Sequence, residues 1–144
     1  MAYVKVLIHS VWGTKNRFPF FDKETRPLIW QHMKENAKLK GIYIDTINGY
    51  SDHVHCLMYL NADMSLSKQV QLLKGESSFW LNRSGMLNSK FEWADKYFAA
   101  SVSEEKIAVV RNYINTQEEH HQTISFLEEY NLFMKHYGFE EDHG

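Results

Sequence analysis

Cysteine, proline and glycine are all scarce in this chain of 144 residues, which has one cysteine, two prolines and seven glycines. The single cysteine, Cys56, excludes an internal disulfide, so nothing indicates an oxidising compartment. No stretch approaches the roughly 20 apolar residues of a membrane span. Residues 1–12 lack the continuous apolar segment of a signal peptide. We therefore expect a cytoplasmic protein without a membrane partner.

Hydrophobic residues make up 44% of the chain and aromatic residues 15%, which argues against disorder. The length is typical of one domain, and we see no interdomain linker, so we predict a single domain over residues 1–144. The net charge of −2 argues mildly against a nucleic-acid partner. However, the negative charge is concentrated after residue 100, and the mildly basic remainder is compatible with phosphate binding.

Hydrophobic periodicity predicts four strands and four helices along the chain. The strands cover residues 3–12, 42–48, 53–60 and 97–102, and the helices cover residues 22–40, 66–82, 103–120 and 124–137. This order is typical of an α+β domain of ferredoxin-like or RRM-like type, in which helices pack mainly on one face of an antiparallel sheet. Residues 121–144 form an acidic helical tail, expected to lie at a dimer interface or to screen a DNA surface.

Two histidines one residue apart, His53 and His55, lie within the third predicted strand. Alternate side chains of a strand share a face and lie roughly 6.5 to 7 Å apart, so both imidazoles point the same way. Two such imidazoles can bind one divalent ion, although an isolated His-x-His pair is more often structural. Cys56 points to the opposite face and is therefore rejected as a ligand.

The third predicted helix carries Tyr113 and Gln117, which share one flank because they are four residues apart. A tyrosine is a poor nucleophile at neutral pH, but it becomes effective where a metal polarises a phosphodiester. Gln117 could then complete a three-ligand site. Periodicity alone favours the alternative, in which the Tyr113 ring packs on the sheet and Gln117 faces solvent.

The chain resembles the single-tyrosine HUH transposases of the smallest bacterial insertion sequences, together with their domesticated relatives associated with repetitive palindromes. The resemblance covers nearly all of residues 3–120. Its motifs are Thr14-Lys15-Asn16-Arg17, Asp52-His53-Val54-His55-Cys56-Leu57, Leu73-Lys74-Gly75-Glu76-Ser77-Ser78, Trp93 with Tyr97 and Ser101-Val102-Ser103, and Tyr113-Ile114-Asn115-Thr116-Gln117. The chain departs from the usual pattern at Ser51 and Lys96.

The resemblance implies an enzyme that cleaves and rejoins single-stranded DNA at hairpin-flanked ends in the bacterial cytoplasm. Tyr113 would be the nucleophile and would form a 5′-phosphotyrosine intermediate. His53, His55 and Gln117 would hold Mg²⁺ or Mn²⁺ against the scissile phosphate. Family members are typically homodimers, in which the tyrosine helix of one subunit often completes the site of the other.

The resemblance also places three basic side chains, Lys15, Arg17 and Lys74, near DNA, although each could equally be ordinary solvated charge. Two alternatives to a transposase remain. The first is a domesticated nuclease or binding module that recognises palindromic DNA and no longer transposes. The second is an RRM-like RNA binder, which fits the order of elements but lacks the aromatic signature of that class.

Several remaining side chains have a structural and a functional interpretation. His9 could neighbour the metal, but a structural role is favoured. The Glu-Glu-His-His run at residues 118–121 resembles a metal cluster, yet polar residues at a helix end usually face solvent. Phe91 and Trp93 could stack on an unpaired base, or could lie in the core or at an interface.

Overall fold

A four-stranded antiparallel sheet forms the centre of the protein in a computed structural model that describes residues 2–138. The strand order is β2-β3-β1-β4, so β1 and β3 are central and β2 and β4 are the edges. The strands are β1 (Leu7–Gly13), β2 (Ile44–Gly49), β3 (His53–Tyr59) and β4 (Phe98–Val102). The predicted α+β class is confirmed.

Five α-helices accompany the sheet within the described residues: α1 (Arg26–Leu39), α2 (Leu66–Ser84), α3 (Ile107–Asn115), α4 (Gln117–His120) and α5 (Phe126–His136). Short 3₁₀ turns at Lys15–Arg17 and Glu104–Lys106 precede α1 and α3. The third predicted helix is therefore divided, because Thr116 leaves helical geometry at φ −104° and ψ 21°. None of the helices in the described part of the chain is both long and apolar enough to span a bilayer.

Two predicted boundaries need correction. β1 begins at Leu7 rather than at residue 3, because pairing with β3 and β4 starts there and the preceding residues are exposed. α1 begins at Arg26 rather than just after Asp22. The Asp22 carboxylate accepts a hydrogen bond of 2.9 Å from the Thr25 N–H, so it caps the turn that leads into the helix.

One face of the sheet is apolar and packs against α1 and α2, the two longest helices. Every second residue of the central strands contributes to this face. From the sheet it takes Trp12, Ile44, Val54, Cys56 and Met58, and from the helices and loops Ile29, Met33, Val70, Leu73, Phe91 and Trp93. Burial of this surface is the main source of stability for the fold.

Phe91 and Trp93 belong to this apolar core rather than to a base-stacking surface. Phe91 is fully buried, and Trp93 is 8% exposed. The indole N–H of Trp93 donates to the Ser77 hydroxyl at 2.9 Å, which satisfies the polar edge of a buried ring. The core interpretation of both aromatics is therefore the correct one.

The other face of the sheet is covered by α3 and α5, so both faces carry helices. Ile107 and Ile114 of α3 pack on Leu7 and Leu57, and Phe126 of α5 packs on Val11 and Phe98. A Cβ atom at Gly13 would lie 2.6 Å from the Phe126 ring. Glycine at that position thus allows α5 to lie close against the end of β1.

Candidate active site

The strand register gathers three histidines on the sheet face beneath α3 and α5. His53 lies opposite Gly13, and His55 lies opposite Val11. His9 is on the same face of β1, and its Nε2 lies 2.9 Å from Nδ1 of His55. His53 and His55 are fully buried, and His9 is buried as well. His9 thus contacts one member of the predicted pair, His55, from the neighbouring strand.

Helix α3 brings Tyr113 to these histidines, and α4 brings Gln117. The side-chain oxygen of Gln117 lies 3.0 Å from Nε2 of His53, and the ring centroids of Tyr113 and His55 are 5.7 Å apart. Gln117 is fully buried, so the solvent-facing alternative for this residue is wrong. Tyr113 contacts the histidines of its own chain in this structure.

Two contacts hold α3 in position against β2. The Asn48 side chain donates to the backbone carbonyl of Ile114 at 2.9 Å. The Arg111 guanidinium forms a bidentate pair with the Asp45 carboxylate at 2.8 and 2.7 Å. Bidentate geometry fixes both distance and orientation, so the helix presents Tyr113 to the sheet in one rotational setting.

An acidic residue that was not predicted, Glu129 of α5, occupies the centre of the site. Its Oε1 atom lies 3.0 Å from Nε2 of His55, 3.1 Å from Nε2 of His121 and 3.4 Å from Nε2 of His53. Its Oε2 atom accepts a hydrogen bond from the Tyr113 hydroxyl. Glu129 is 1% exposed, so a charged side chain is enclosed by partners.

The position of Glu129 follows from local features of α5. A capping box begins the helix: Ser125 accepts from the Glu128 N–H at 3.1 Å while the Glu128 carboxylate accepts from the Ser125 N–H. The Phe126 ring then stacks on His53 with centroids 4.2 Å apart. One stripe of the helix carries Phe126, Glu129 and Phe133. A glutamate between two aromatic residues on such a stripe is the sequence pattern that could have indicated a buried carboxylate.

The solvent-facing interpretation of residues 118–121 is wrong for His121. The His121 side chain is 2% exposed. Its Nδ1 lies 2.9 Å from the carbonyl oxygen of Ile124, and its ring lies 4.4 Å from that of His53, centroid to centroid. The chain turns sharply after α4, which directs this imidazole back into the site. His120 also faces inward, with Nε2 3.2 Å from the Tyr113 hydroxyl.

Burial and hydrogen bonding give these groups different protonation preferences. Burial lowers the pKa of His9 to about 3 and the pKa of His55 to about 4. Burial alone would raise the pKa of Glu129, but hydrogen bonds from His121, His53 and His55 outweigh it and lower the pKa. Burial, followed by the contact with Glu129, raises the pKa of Tyr113. Both effects favour the protonated form of the Tyr113 phenol.

The cluster has the composition of a metal site. The candidate ligand atoms of His53, His55, His121 and Glu129 all lie within 4.8 Å of one another. Three imidazole nitrogens and one carboxylate oxygen suit a transition-metal ion. Gln117 adds a further oxygen beside His53. The residues present thus fit a divalent cation, with two more ligand candidates than were predicted.

A groove between α3 and α5 leads to the nucleophile candidate. It has a volume of about 440 Å³ and is lined by Tyr113, His120, Glu129, Phe133 and His136, among others. The groove gives Tyr113 access to the surface from one side, while the sheet closes the other.

The three predicted DNA-contacting residues lie apart from this cluster. Lys15 pairs with Glu92 at 2.9 Å, and Arg17 is exposed on the 3₁₀ turn, with φ of 56°. The Lys74 ammonium donates to the backbone carbonyls of Ala94 and Asp95 at 2.7 and 3.1 Å. Lys74 also lines a pocket of about 440 Å³ together with Glu92.

The sequence of this chain is similar to those of known transposases. A family model described as "Transposase IS200 like" matches residues 2–117. The transposase for insertion sequence element IS200 of Salmonella typhimurium is 28% identical over 132 residues, covering 83% of this chain and 86% of that protein. The corresponding transposase of Salmonella typhi matches to the same extent.

Two solved structures share the fold. A transposase described as putative from Deinococcus radiodurans R1 superimposes with a TM-score of 0.63 at 24% identity, covering 81% of this chain and 95% of that one. A REP-associated tyrosine transposase bound to a REP hairpin superimposes with a TM-score of 0.64 at 14% identity, covering 86% and 73%. These two structures show the shared fold, and the matching family model defines the class as that of the transposases. Because the family model covers well over half of its length, the chain belongs to the IS200-like transposase family.

Proposed function

We propose that the protein cleaves and rejoins single-stranded DNA at hairpin-flanked ends, with Tyr113 as the nucleophile and a divalent metal ion as cofactor. The observation that carries this proposal is the meeting of Tyr113 and Gln117 with His53 and His55 in one enclosed cluster. These four residues come from elements far apart in the sequence. Membership of a transposase family supports DNA as the substrate.

In the proposed reaction the Tyr113 oxygen forms a bond to phosphorus, and the bond from phosphorus to the 3′ oxygen breaks. The phenolic proton passes to a neighbouring base, for which Nε2 of His120, 3.2 Å from the hydroxyl, is within reach. The departing 3′ oxygen takes a proton from solvent. Rejoining is the reverse step with another 3′-OH, so the phosphotyrosine ester conserves the energy of the broken bond.

His53, His55 and Gln117 would hold the cofactor, proposed as Mg²⁺ or Mn²⁺. Such an ion supplies charge neutralisation and orientation for the scissile phosphate. The surrounding protein fixes the ligands: Nδ1 of His53 lies 2.8 Å from the Asp52 carboxylate, and His55 rests against His9. Contacts of this kind orient imidazole ligands and set their basicity.

Lys15, Arg17 and Lys74 are proposed as contacts to DNA phosphates. Lys15 and Arg17 are exposed on one turn, where their side chains can reach a backbone. Lys74 already satisfies two carbonyls, so its expected contribution is smaller. A relative of the same fold was solved bound to a REP hairpin, which supports hairpin DNA as the partner.

A homodimer in the bacterial cytoplasm is proposed on the family resemblance. The strands β2 and β4 lie at the edges of the sheet, and an edge is where a second copy could extend it. Light scattering coupled to size-exclusion chromatography would measure the mass directly. A monomer at micromolar concentration would contradict this part of the proposal.

The decisive experiment tests Tyr113 directly. The protein is incubated with labelled single-stranded hairpin DNA from the flanks of its gene, with Mn²⁺ present, and a covalent protein–DNA adduct is sought after denaturation. Wild type should form the adduct, and Tyr113→Phe should lose it by at least about 10³-fold, because the phenol is the attacking group. Tyr130→Phe, which removes a hydroxyl from α5, is the matched control and should retain the adduct. Equal products from wild type and Tyr113→Phe would refute the nucleophile.

A hairpin-binding module or nuclease that no longer transposes is the second candidate. The observation in its favour is the contact between Tyr113 and Glu129, which occupies the nucleophile's hydroxyl. This candidate predicts tight binding to hairpin DNA without joining of a cleaved end to a new 3′-OH. A strand-transfer assay with a second labelled oligonucleotide distinguishes the two.

A further inference from the structure

The hydrogen-bond partners of two histidines determine which ring nitrogens carry protons. Nδ1 of His121 lies 2.9 Å from the carbonyl oxygen of Ile124, which can only accept, so this nitrogen carries a hydrogen. Nδ1 of His53 faces the Asp52 carboxylate at 2.8 Å and carries a hydrogen for the same reason. The other ring nitrogen, Nε2, faces Glu129 in both histidines, and Nε2 of His53 also lies 3.0 Å from the side-chain oxygen of Gln117.

Three imidazole nitrogens converge on the same carboxylate oxygen. Oε1 of Glu129 lies 3.4 Å from Nε2 of His53 and 3.1 Å from Nε2 of His121. Nε2 of His55 lies 3.0 Å from the same atom, while its Nδ1 faces His9. Three imidazole nitrogens and one carboxylate oxygen at these separations form the donor set of a metal site, and a cation among the four atoms would be bound by all of them.

The three distances from the Glu129 oxygen fit edges of a small tetrahedron, and all four atoms lie within 4.8 Å of one another. Zinc-to-nitrogen bonds of about 2.0 to 2.1 Å separate adjacent tetrahedral ligands by about 3.3 Å. The three nitrogen-to-oxygen distances of 3.0, 3.1 and 3.4 Å lie around this value. The non-coordinating nitrogens of His53 and His121 donate to a carboxylate and a backbone carbonyl, which is the usual arrangement around a ligating histidine.

We infer that His53, His55, His121 and Glu129 form a zinc-type site that fastens α5 over the tyrosine. Three imidazoles and one carboxylate in a buried tetrahedral arrangement suit Zn²⁺, whereas Mg²⁺ prefers oxygen ligands in an octahedron and retains water. Two of the four ligands, His121 and Glu129, lie beyond residues 2–117, the part matched by the family model. This ligand set therefore differs from the proposed catalytic set of His53, His55 and Gln117.

A zinc-filled site would hold the protein in an inactive conformation, an effect that rests on the proposed cleavage function. The Glu129 carboxylate accepts a hydrogen bond from the Tyr113 hydroxyl and is an anion beside the imidazoles, so in the proposed reaction a phosphate oxygen would have to replace it there. A phosphodiester can reach the metal only after α5 has withdrawn. Withdrawal leaves His53, His55 and Gln117 with free coordination positions, as catalysis requires.

Metal binding is tested first, because it does not depend on any activity. The full chain is stripped with a chelator and titrated with Zn²⁺ by calorimetry, and in parallel with Co²⁺, whose visible absorption is strong in tetrahedral sites. We expect one ion per chain and a tetrahedral Co²⁺ spectrum. Glu129→Gln and His121→Asn should each weaken binding by at least about 10-fold. Glu119→Gln and His136→Asn, at exposed positions, are the matched controls.

Folding of each variant is checked by circular dichroism, and exchange of amide hydrogens in α5 supplies a second measurement. Zinc should slow exchange in α5 of wild type and of the controls, but not of Glu129→Gln. Absence of zinc binding by wild type would overturn the inference. Equal affinity of wild type, Glu129→Gln and His121→Asn would overturn it as well, because a site of His53 and His55 alone would then suffice.

The adduct assay separates this inference from the proposed function. With Mn²⁺ present, added Zn²⁺ should suppress the adduct of wild type, and Glu129→Gln should be at least about 10-fold less sensitive to zinc. If no variant forms an adduct, the proposed function fails while the zinc titrations still decide the site. If zinc binds as expected but suppresses both proteins equally, the fastening of α5 is refuted.

Discussion

The two faces of the central sheet are built on opposite principles. The face under α1 and α2 is apolar, and alternate residues of β1 and β3 supply side chains such as Trp12, Val54 and Met58. The face under α3 and α5 takes the intervening residues of the same strands, and these include His9, His53 and His55. One pair of strands thus supplies the hydrophobic core on one side and the candidate active site on the other.

The contrast between the two faces shows how the fold tolerates a buried polar cluster whose desolvation is unfavourable. Burying imidazoles and a carboxylate carries a desolvation penalty, which is offset only where each group has a partner. The apolar face needs no such matching and supplies most of the net stability. We therefore expect substitutions on the apolar face to affect unfolding, and substitutions on the polar face to affect α5 and the chemistry.

The largest expected effect on stability is on the apolar face. Phe91→Ala should lower the free energy of unfolding by about 3 to 5 kcal/mol, because it leaves a cavity among packed aromatic rings. Phe79→Ala is the matched control, since Phe79 is 62% exposed; it should cost no more than about 1 kcal/mol. Urea unfolding followed by circular dichroism measures both. Similar losses for the two variants would contradict the assignment of the core.

An intermediate effect on the free energy of unfolding is expected where α5 packs on the polar face. Gly13→Ala places a Cβ atom 2.6 Å from the Phe126 ring and should cost about 1 to 3 kcal/mol. Gly75→Ala is the counterpart on α2, where a Cβ would meet nothing within 4 Å. That variant should gain about 0.5 to 1 kcal/mol through helix propensity.

Hydrogen exchange locates the damage caused by Gly13→Ala. Amides of α5 should exchange faster in this variant, while those of α1 and α2 should stay close to wild type in their rates. A uniform acceleration across all helices would show that the two faces do not respond separately.

The smallest expected effect on the free energy of unfolding concerns the ion pair between Asp45 and Arg111, which joins β2 to α3. The hydrogen bond from Arg111 lowers the pKa of the Asp45 carboxyl below its ordinary 3.8. The pair therefore stabilises the protein above that pH, and its contribution is lost as pH falls through the depressed pKa. Asp45→Asn should cost about 0.5 to 1 kcal/mol at pH 7 after solvent screening, and progressively less below pH 4.

Thermal unfolding at a series of pH values tests the Asp45 expectation. Asp63→Asn, on an exposed loop, is the control and should leave the unfolding temperature unchanged at pH 7. A cost for Asp45→Asn that grows as the pH falls would have the wrong sign and would reject the ion pair as its source.

Part of the site could be predicted from the sequence because two periodicities are local. The period of two along a strand places His53 and His55 on one face, and the 3.6 period of a helix places Gln117 beside Tyr113. Those short spacings, together with the resemblance, identified four members of the cluster. The contact between His55 and Glu129, by contrast, joins residues 74 positions apart, which no local pattern indicates.

The two cluster residues that were not predicted as ligands are Glu129 and His121. Their positions depend on how the chain turns back towards the sheet after α4. The acidic surplus after residue 100 favoured a tail at an interface or over a DNA surface. Instead, α5 packs on its own sheet and places one carboxylate among the three histidines. Only the break at Thr116 and the turn before Ser125 bring about that return. For residues 139–144 the tail prediction lies outside the described residues.

The α+β class, the shared face of His53 and His55, and the proximity of Tyr113 to Gln117 could be predicted from the sequence, since they follow from the short-range periodicity of the backbone. What surrounds these residues depends on the tertiary structure. Whether Glu129 is a solvated charge or the centre of a buried cluster depends on docking α5 over Gly13. The burial of Glu129 and its hydrogen bonds both come from contacts between distant segments. The carboxylate therefore becomes part of the cluster only in the folded chain.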